Sequence, residues 1–144
     1  MMKKSNENLS LLKENVLNAV LNDHPFQEKS KRLRFPDLHF VLSQHDVYLV
    51  DKDIKNTINI EKLNKPLHIV TEEFLKQNPE KSGKTVYLKF SKTKQQNDTI
   101  LLILEAKIYS SSDDRISNLS SLQITFHKDG NAWKILDEPI LLSA

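Results

Sequence analysis

Cysteine is absent from this chain and glycine is nearly so, with only Gly83 and Gly130. The first absence excludes disulfide bonds, thiolate catalysis and cysteine metal sites, and it leaves the cellular compartment open. The scarcity of glycine matters because loops that cradle phosphate need it to bring the backbone close to the ligand. Walker-type and dinucleotide-binding sites are therefore effectively excluded, and we expect no cofactor.

Long apolar runs are also missing. No run approaches the roughly 18 residues of a membrane helix, and Met1 to Asn8 is polar, without the apolar stretch of a signal peptide. We therefore expect a cytoplasmic protein with no membrane contact, with the removal of a leader left open. The many lysines and asparagines, against few arginines, are typical of an A/T-rich bacterial coding sequence.

The chain also lacks an excess of charge of either sign. Its 21 basic and 19 acidic residues are spread along the whole length, so the net charge of +2 does not indicate a basic face. The local exception is Lys29 to Arg34, which would bind anions or nucleic acid only if it joined Lys92 and Lys94 in one patch. Because no aromatic ladder or glycine loop accompanies these cations, a solvated connector is favoured, and we expect no nucleic-acid partner.

What is present is a composition typical of one soluble domain. The chain has 144 residues, 38% hydrophobic and 28% charged, and we expect residues 1–144 to form a single domain with its own core. Its most apolar stretch, Thr99 to Tyr109, is apolar on both faces from Ile100 to Leu104 and amphipathic from Glu105 onward. This pattern predicts a strand in mid-sheet, covered on both faces at its first end and open to water at its second.

The first half of the chain predicts one long helix and several short elements. Leucine and valine at helical spacing predict an amphipathic helix from Ser5 to Asn22. Two β-prone runs, Leu38 to Leu42 and Val47 to Val50, favour a hairpin. Further predicted elements are strands at Thr57 to Ile60 and Leu67 to Val70 and a short helix near 72–78 with Thr71 as its N-cap.

In the second half, apolar and polar residues alternate as they do in antiparallel strands. We expect three long strands, separated by polar connections at Lys92 to Asp98 and Ser110 to Asn118. A tight turn at Asp129-Gly130 then leads to a short strand, and the tail Ile140 to Leu142 adds an edge strand or packs under the helix. The residues predicted to share the core face are Val86, Leu88, Phe90, Ile100, Leu102, Leu104, Ile108, Leu122, Ile124, Phe126, Trp133 and Ile135.

Together these elements predict an α+β fold, in which a curved antiparallel meander packs against the N-terminal helix. Residues 84–137, with the hairpin Leu-Gln-Ile-Thr-Phe-His-Lys-Asp-Gly-Asn-Ala-Trp-Lys-Ile, resemble the NTF2-like and cystatin-like group of α+β domains. NTF2-like domains usually begin with several helices, whereas residues 38–70 favour strands. The resemblance implies a concave sheet that could hold a ligand or serve as a dimer face, in a group that includes both enzymes and non-catalytic modules.

Metal-binding and nucleophilic motifs are not evident. The five histidines have no spacing that places two on one helix or strand face. His45 and Asp46, with Asp51 and Asp53, could supply ligands if their loops converged, but ordinary turn chemistry is favoured. No serine lies in a Gly-x-Ser-x-Gly elbow, so we predict neither a metal site nor a catalytic residue.

Four polar residues share the second face of the sheet if the strands pair in order: Tyr87, Glu105, Tyr109 and His127. A glutamate and a histidine near two tyrosines could form a ligand pocket or a general acid and base site. The favoured alternative is a half-solvated outer face on which Glu105 and Lys107 make cross-strand contacts.

The missing catalytic signature favours a small bacterial interaction module over an enzyme. We expect a homodimer, or a complex with a protein partner, formed through the sheet face or the apolar tail. The alternative is a protein that binds a small-molecule ligand, or an enzyme, with a sheet concavity lined by the same four residues.

Overall fold

The computed structural model describes residues 2–21, 38–44, 46–51, 67–130, 132–135 and 140–143. The basic segment Lys29 to Arg34, the predicted strand Thr57 to Ile60, and residues His45 and Asp53 lie outside the described residues. No helix in the described ranges has both the length and the apolarity that a bilayer crossing requires.

Three helices and seven strands occupy these ranges. The helices are α1 Met2–Leu21, α2 Leu38–Ser43 and α3 Glu72–Gln77. The strands are β1 Val47–Val50, β2 Leu67–Val70, β3 Lys84–Gln96, β4 Thr99–Ser110, β5 Arg115–Asp129, β6 Ala132–Ile135 and β7 Ile140–Ser143. They form one curled sheet in the order β2-β1-β3-β4-β5-β6, and β7 pairs with β5 beside β6.

The sheet is mixed, which corrects the predicted antiparallel meander. β1 runs parallel to β2 on one side and to β3 on the other. From β3 onward every pair is antiparallel, as predicted. The prediction failed at β1 because an apolar run of four residues carries no information about the direction of its neighbours. The α+β class is confirmed, with the sheet as the larger part.

Leu38 to Leu42 is not a strand, so the predicted hairpin with Val47 to Val50 is wrong. The segment belongs to α2, and the Ser43 hydroxyl donates to a carbonyl in the same helix (2.8 Å). A short apolar run without alternation fits a helix as well as a strand. The Gln44 side-chain amide then pairs with Val86 of β3, accepting from its N–H and donating to its carbonyl, both at 2.6 Å. These two bonds fix the end of α2 to the sheet.

A bulge in β3 explains why its second half was predicted to be a loop. The strand continues to Gln96, and its pairing with β4 shifts by one residue between Phe90 and Lys92. Without this shift, Lys94 and Gln96 would continue on the face of Phe90, which is the core face. The extra residue turns them to the opposite face, where a lysine can meet water.

The connection between β4 and β5 is shorter than predicted. Because β5 begins at Arg115, only residues 111–114 lie between the two strands, and the predicted connection Ser110 to Asn118 is mostly strand. A second register shift lies between Ala106 and Lys107 of β4, which pair with Ser120 and Asn118 of β5. Serine and asparagine are common in turns, which is why the sequence indicated a loop.

The inner face of the sheet carries the main core, and α1 covers it. The α1 residues in this core are Leu12, Val16, Leu17, Ala19, Val20 and Leu21. They lie in one cluster with the inner residues of β3, β4 and β5, and the predicted core face is confirmed throughout. Ile108, Trp133 and Ile135 form its partly buried margin. An amphipathic helix therefore buries the apolar face of the sheet, as the helical spacing predicted.

A buried ion pair joins α1 to the sheet inside this core. Lys13 Nζ of α1 is 2.8 Å from Asp51 Oδ2, and the two side chains are only 1% and 3% exposed. The same ammonium lies 5.3 Å from the centre of the Phe90 ring. Because Asp51 directly follows β1, the pair ties α1 to the end of that strand.

The outer face is covered by α3 at one end. Thr71 caps this helix as predicted, and its hydroxyl accepts a hydrogen bond from a backbone N–H of the first turn (3.0 Å). Leu75 of α3 is buried in a second cluster with Tyr87 and Tyr109. The sheet thus has a helix on each face, α1 inside and α3 outside.

This placement reverses the exposure expected for β4. Tyr109, at the end predicted to open to water, is buried beneath α3. Leu101 and Ile103, at the end predicted to be covered on both faces, are only half-buried. The sequence indicated which residues share a face, but not which end of that face the short helix covers.

Candidate functional site

The outer face beside α3 carries a connected group of charged and tyrosine side chains. Glu72, in the first turn of α3, lies over β3. The Tyr87 hydroxyl donates to its Oε2 (2.6 Å), and Lys89 Nζ donates to its Oε1 (2.8 Å). Both carboxylate oxygens are used, so these contacts tie α3 to the sheet.

β4 extends this group by two residues. In the register of β3 and β4, Lys89 pairs with Glu105 and Tyr87 pairs with Lys107. Lys107 Nζ lies 3.5 Å from Glu105 Oε2 and donates to the Asn118 side-chain carbonyl at 2.6 Å. We call Glu72, Tyr87, Lys89, Glu105 and Lys107 the Tyr87 cluster.

The cluster shifts the pKa values of two of its members in opposite directions. Burial raises the pKa of Tyr87 far above its ordinary value, and the hydrogen bond to Glu72 and the charge of Glu105 add to the rise. Partial burial alone would raise the pKa of Glu72, but the hydrogen bonds from Lys89 and Tyr87 outweigh it and lower that pKa. Near neutral pH Tyr87 is therefore protonated and Glu72 ionised, so neither is poised to exchange a proton.

Replacing Tyr87 by phenylalanine removes one donor from the Glu72 carboxylate, and we expect the free energy of unfolding near neutral pH to fall by about 1 kcal/mol. The folded-state pKa of Glu72 lies below its unfolded value, so its stabilising contribution is present above the unfolded pKa and is lost as the pH falls. The loss in free energy of unfolding caused by Tyr87→Phe should therefore be smaller at about pH 3 than near neutral pH. Urea unfolding followed by circular dichroism measures this loss at both pH values. An equal loss at the two pH values would contradict this role for Glu72.

The structure places three of the four predicted ligand residues at one end of the outer face. Tyr87 and Glu105 belong to the Tyr87 cluster, and Tyr109 lies beside Tyr87 under α3. The Tyr109 hydroxyl donates to Asp114 Oδ1 (3.0 Å), so both tyrosine hydroxyls are used within the protein.

His127 does not join them. It pairs with Thr99 of β4, whereas Glu105, six residues further along β4, pairs with Ser121 of β5. At the rise of an extended strand this separates His127 from Glu105 by roughly 20 Å. The His127 Nδ1 atom is shielded from solvent and has no hydrogen-bond partner, and Ser120 Oγ of the inner face is the other such atom among the described side chains.

Sequence reasoning missed Glu72 and Lys89 as members of the site. Glu72 lies in the first turn of the helix predicted near 72–78, and nothing local shows that this helix lies on the outer face. One signal was present, however. Tyr87 and Tyr109 are large aromatic residues on the face predicted to be polar, and they indicate that something covers that end.

Of the carboxylates considered as metal ligands, the two that lie in the described residues, Asp46 and Asp51, do not converge. Asp46 Oδ1 lies 3.2 Å from His68 Nε2 of the edge strand β2, whereas Asp51 pairs with Lys13 in the core. Within the residues that the structure describes, no three histidine or carboxylate side chains are arranged to hold a metal ion.

Beyond the Tyr87 cluster, the outer face continues without a helix over it in the described ranges. Its residues there are Leu101, Ile103, Gln123, Thr125 and Ile140, which we call the open face. Leu101 and Ile103 are half-buried, and Ile140 of β7, the register partner of Gln123, is 52% exposed. The open face is uncharged and partly apolar.

Comparisons with known proteins give no match: no family model, no curated protein and no solved structure is similar to this chain. The NTF2-like or cystatin-like relationship therefore stays a prediction.

Proposed function

We propose that this protein is a non-catalytic interaction module that self-associates through the open face. The observation that carries the proposal is the exposed Ile140, in line with the half-buried Leu101 and Ile103 on a face that α3 leaves uncovered. Removing such a surface from water favours association. Gln123 and Thr125 lie between the apolar residues and offer hydrogen-bonding groups to a second copy.

The polar groups at the other end support a structural role for the Tyr87 cluster. Its glutamate and lysine side chains are paired with each other, and its tyrosine hydroxyl is committed to Glu72. A general acid or base needs a pKa near the working pH and access to a substrate, and neither Tyr87 nor Glu72 has such a pKa. The separation of His127 from this cluster also weighs against a shared ligand pocket.

The charges around the open face suit a symmetric pairing of two copies. Lys94 lies on β3, to one side of Leu101, whereas the open-face residues of β5 on the other side are uncharged. A twofold axis along β4, between two facing sheets, places β3 of each copy over β5 of the other. Lysine then meets Gln123 and Thr125, and like charges stay apart.

Replacing Ile103 by glutamate tests this proposal. We expect the wild-type chain to sediment as a dimer at micromolar concentration, and Ile103→Glu to weaken dimerisation by about 2 kcal/mol, or roughly thirtyfold, because a charge is buried in the interface. Ser117→Glu is the matched control, since it adds the same charge at an exposed position away from the open face.

Two results would contradict the proposal. One is a wild-type protein that sediments as a monomer at every accessible concentration. The other is an equal weakening by Ile103→Glu and Ser117→Glu, which would indicate a general effect of charge. The circular dichroism spectrum of each variant shows that it is folded.

A further inference from the structure

The short helix α3 covers one end of the outer face and buries very little of its own surface. Of its six residues, all of them described, Leu75 is the one that is buried, in the cluster with Tyr87 and Tyr109. Phe74 is exposed although it is large and apolar. An element with so few buried apolar contacts opens at a lower free energy than the core of its protein. We therefore expect α3 to open before the sheet does.

The second attachment of α3 is the Glu72 carboxylate. Its Oε2 accepts a hydrogen bond from the Tyr87 hydroxyl (2.6 Å), and its Oε1 accepts one from Lys89 Nζ (2.8 Å). Tyr87 and Lys89 both belong to β3, so one side chain of the helix holds two side chains of the same strand. Hydrogen bonds to an ionised acceptor are roughly twice as strong as those between neutral groups. The charge of Glu72 is therefore a large part of what keeps α3 in place.

The connections on either side of α3 let it move without breaking the sheet. β2 ends at Val70, which pairs with β1, and Thr71 leads directly into the helix. Residues 78–82 then lead to Gly83, whose carbonyl accepts a hydrogen bond from the Ser111 N–H (2.8 Å) at the start of β3. Because the strand pairs lie outside these connections, the sheet can keep its register while α3 moves.

We infer that α3 is a lid, which opens as one unit while the sheet stays folded, and that Glu72 is the latch that holds it shut. Opening withdraws Leu75 and uncovers Tyr87 and Tyr109, which are buried in the closed state. The outer face then presents an aromatic surface at this end, and the inner core under α1 is unchanged.

Hydrogen exchange of the ¹⁵N-labelled protein tests this inference. The lid is reported by the amides of Leu75 and Asn78, which donate to the carbonyls of Thr71 and Phe74, and the core is reported by Leu102 of the central strand β4. After correction for intrinsic rates, we expect the lid amides to exchange at least about a hundredfold faster than Leu102. Low concentrations of urea should change lid exchange little, because a local opening exposes little surface.

Two variants separate the latch from the helix as a whole. Glu72→Gln keeps the shape of the latch but removes its charge, and it should speed exchange at Leu75 about tenfold. Glu73→Gln is the matched control, because Glu73 is exposed and lies in the same first turn. It removes the same favourable charge at the helix N-terminus, so it should speed exchange at Leu75 only about twofold.

A third variant separates the lid from the core. Ile124 is buried in the inner core as the register partner of Leu102, and Ile124→Val weakens that core whether the lid is open or closed. It should speed exchange at Leu102 about fivefold and leave Leu75 unchanged.

Three results would overturn the inference. The first is equal protection and equal urea dependence at Leu75 and Leu102, which would mean that α3 opens only when the whole protein unfolds. The second is an equal effect of Ile124→Val at those two amides. The third is equal acceleration by Glu72→Gln and Glu73→Gln, which would leave Glu72 no role as a latch.

Discussion

Replacing Lys13 by methionine is expected to lower the free energy of unfolding by about 3–5 kcal/mol, because it leaves the Asp51 carboxylate buried without the ammonium that faces it. The two side chains are 1% and 3% exposed and lie 2.8 Å apart, so water cannot take the place of the lysine. The substitution also removes the contact of the ammonium with the Phe90 ring. Urea unfolding followed by circular dichroism measures the loss.

Two companion variants show whether burial is the cause. Lys13→Met/Asp51→Leu removes both charges, and we expect it to recover most of the lost stability, since apolar residues of similar volume often replace a buried pair without cost. Lys134→Met breaks an exposed pair with Asp129, in which the two side chains are 52% and 60% exposed, and should have no measurable effect. If Lys13→Met were as harmless as Lys134→Met, the placement of α1 over β1 would be wrong.

Neighbouring leucines on β4 should respond very differently to the same substitution. Leu102 is 1% exposed in the inner core, so Leu102→Ala should cost about 3–5 kcal/mol through lost burial and the cavity it leaves. Leu101 lies on the open face and is half-buried, so Leu101→Ala should cost only about 1 kcal/mol. Denaturant unfolding of the two variants under identical conditions gives the comparison.

The same pair of variants separates folding from association. Leu101→Ala should weaken self-association while leaving most of the stability, because its side chain belongs to the open face. Equal losses of stability in both variants would mean that β4 is covered on both faces at Leu101 and Leu102. That result would remove the surface on which the proposed function depends.

The second half of the fold was readable from the sequence because its signal is local. Alternation with a period of two residues assigns Leu88, Leu102 and Ile124 to one face wherever the strands pair in order, and the structure confirms that face. The helical spacing in α1 is an equally local signal. Both patterns repeat often enough that a single exception does not obscure them.

The features that could not be predicted depend on contacts distant in sequence. β1 pairs in parallel with strands that follow it by many residues, and no pattern within Val47 to Val50 shows this. The bulge after Phe90 leaves no pattern of its own in the sequence, because it shows only in how β3 pairs with β4. The position of α3 on the outer face depends on Glu72 meeting Tyr87, fifteen residues away.

The candidate site shows the same limit. Tyr87, Glu105 and Tyr109 were correctly assigned to one face, because that follows from alternation. Their distance from His127 depends on the register of β4 and β5, which alternation does not determine. In the structure His127 pairs with Thr99, at the far end of β4. Lys94 and Gln96 were placed in a loop, so their position on β3, beside Leu101 and Thr99, was not foreseen.

The two faces of the sheet therefore have different roles. The inner face and α1 provide stability, and α3 with the Tyr87 cluster closes one end of the outer face. What remains is the open face, which is the surface that the proposed function uses.

Isotope-filtered NOE spectroscopy tests most directly whether two copies meet through the open face. A sample mixing ¹³C-labelled and unlabelled protein reports only contacts between copies. We predict intermolecular NOEs from the methyl groups of Leu101, Ile103 and Ile140. Intermolecular NOEs confined to other surfaces, such as the exposed Leu11 of α1, or none in a concentrated sample, would contradict it.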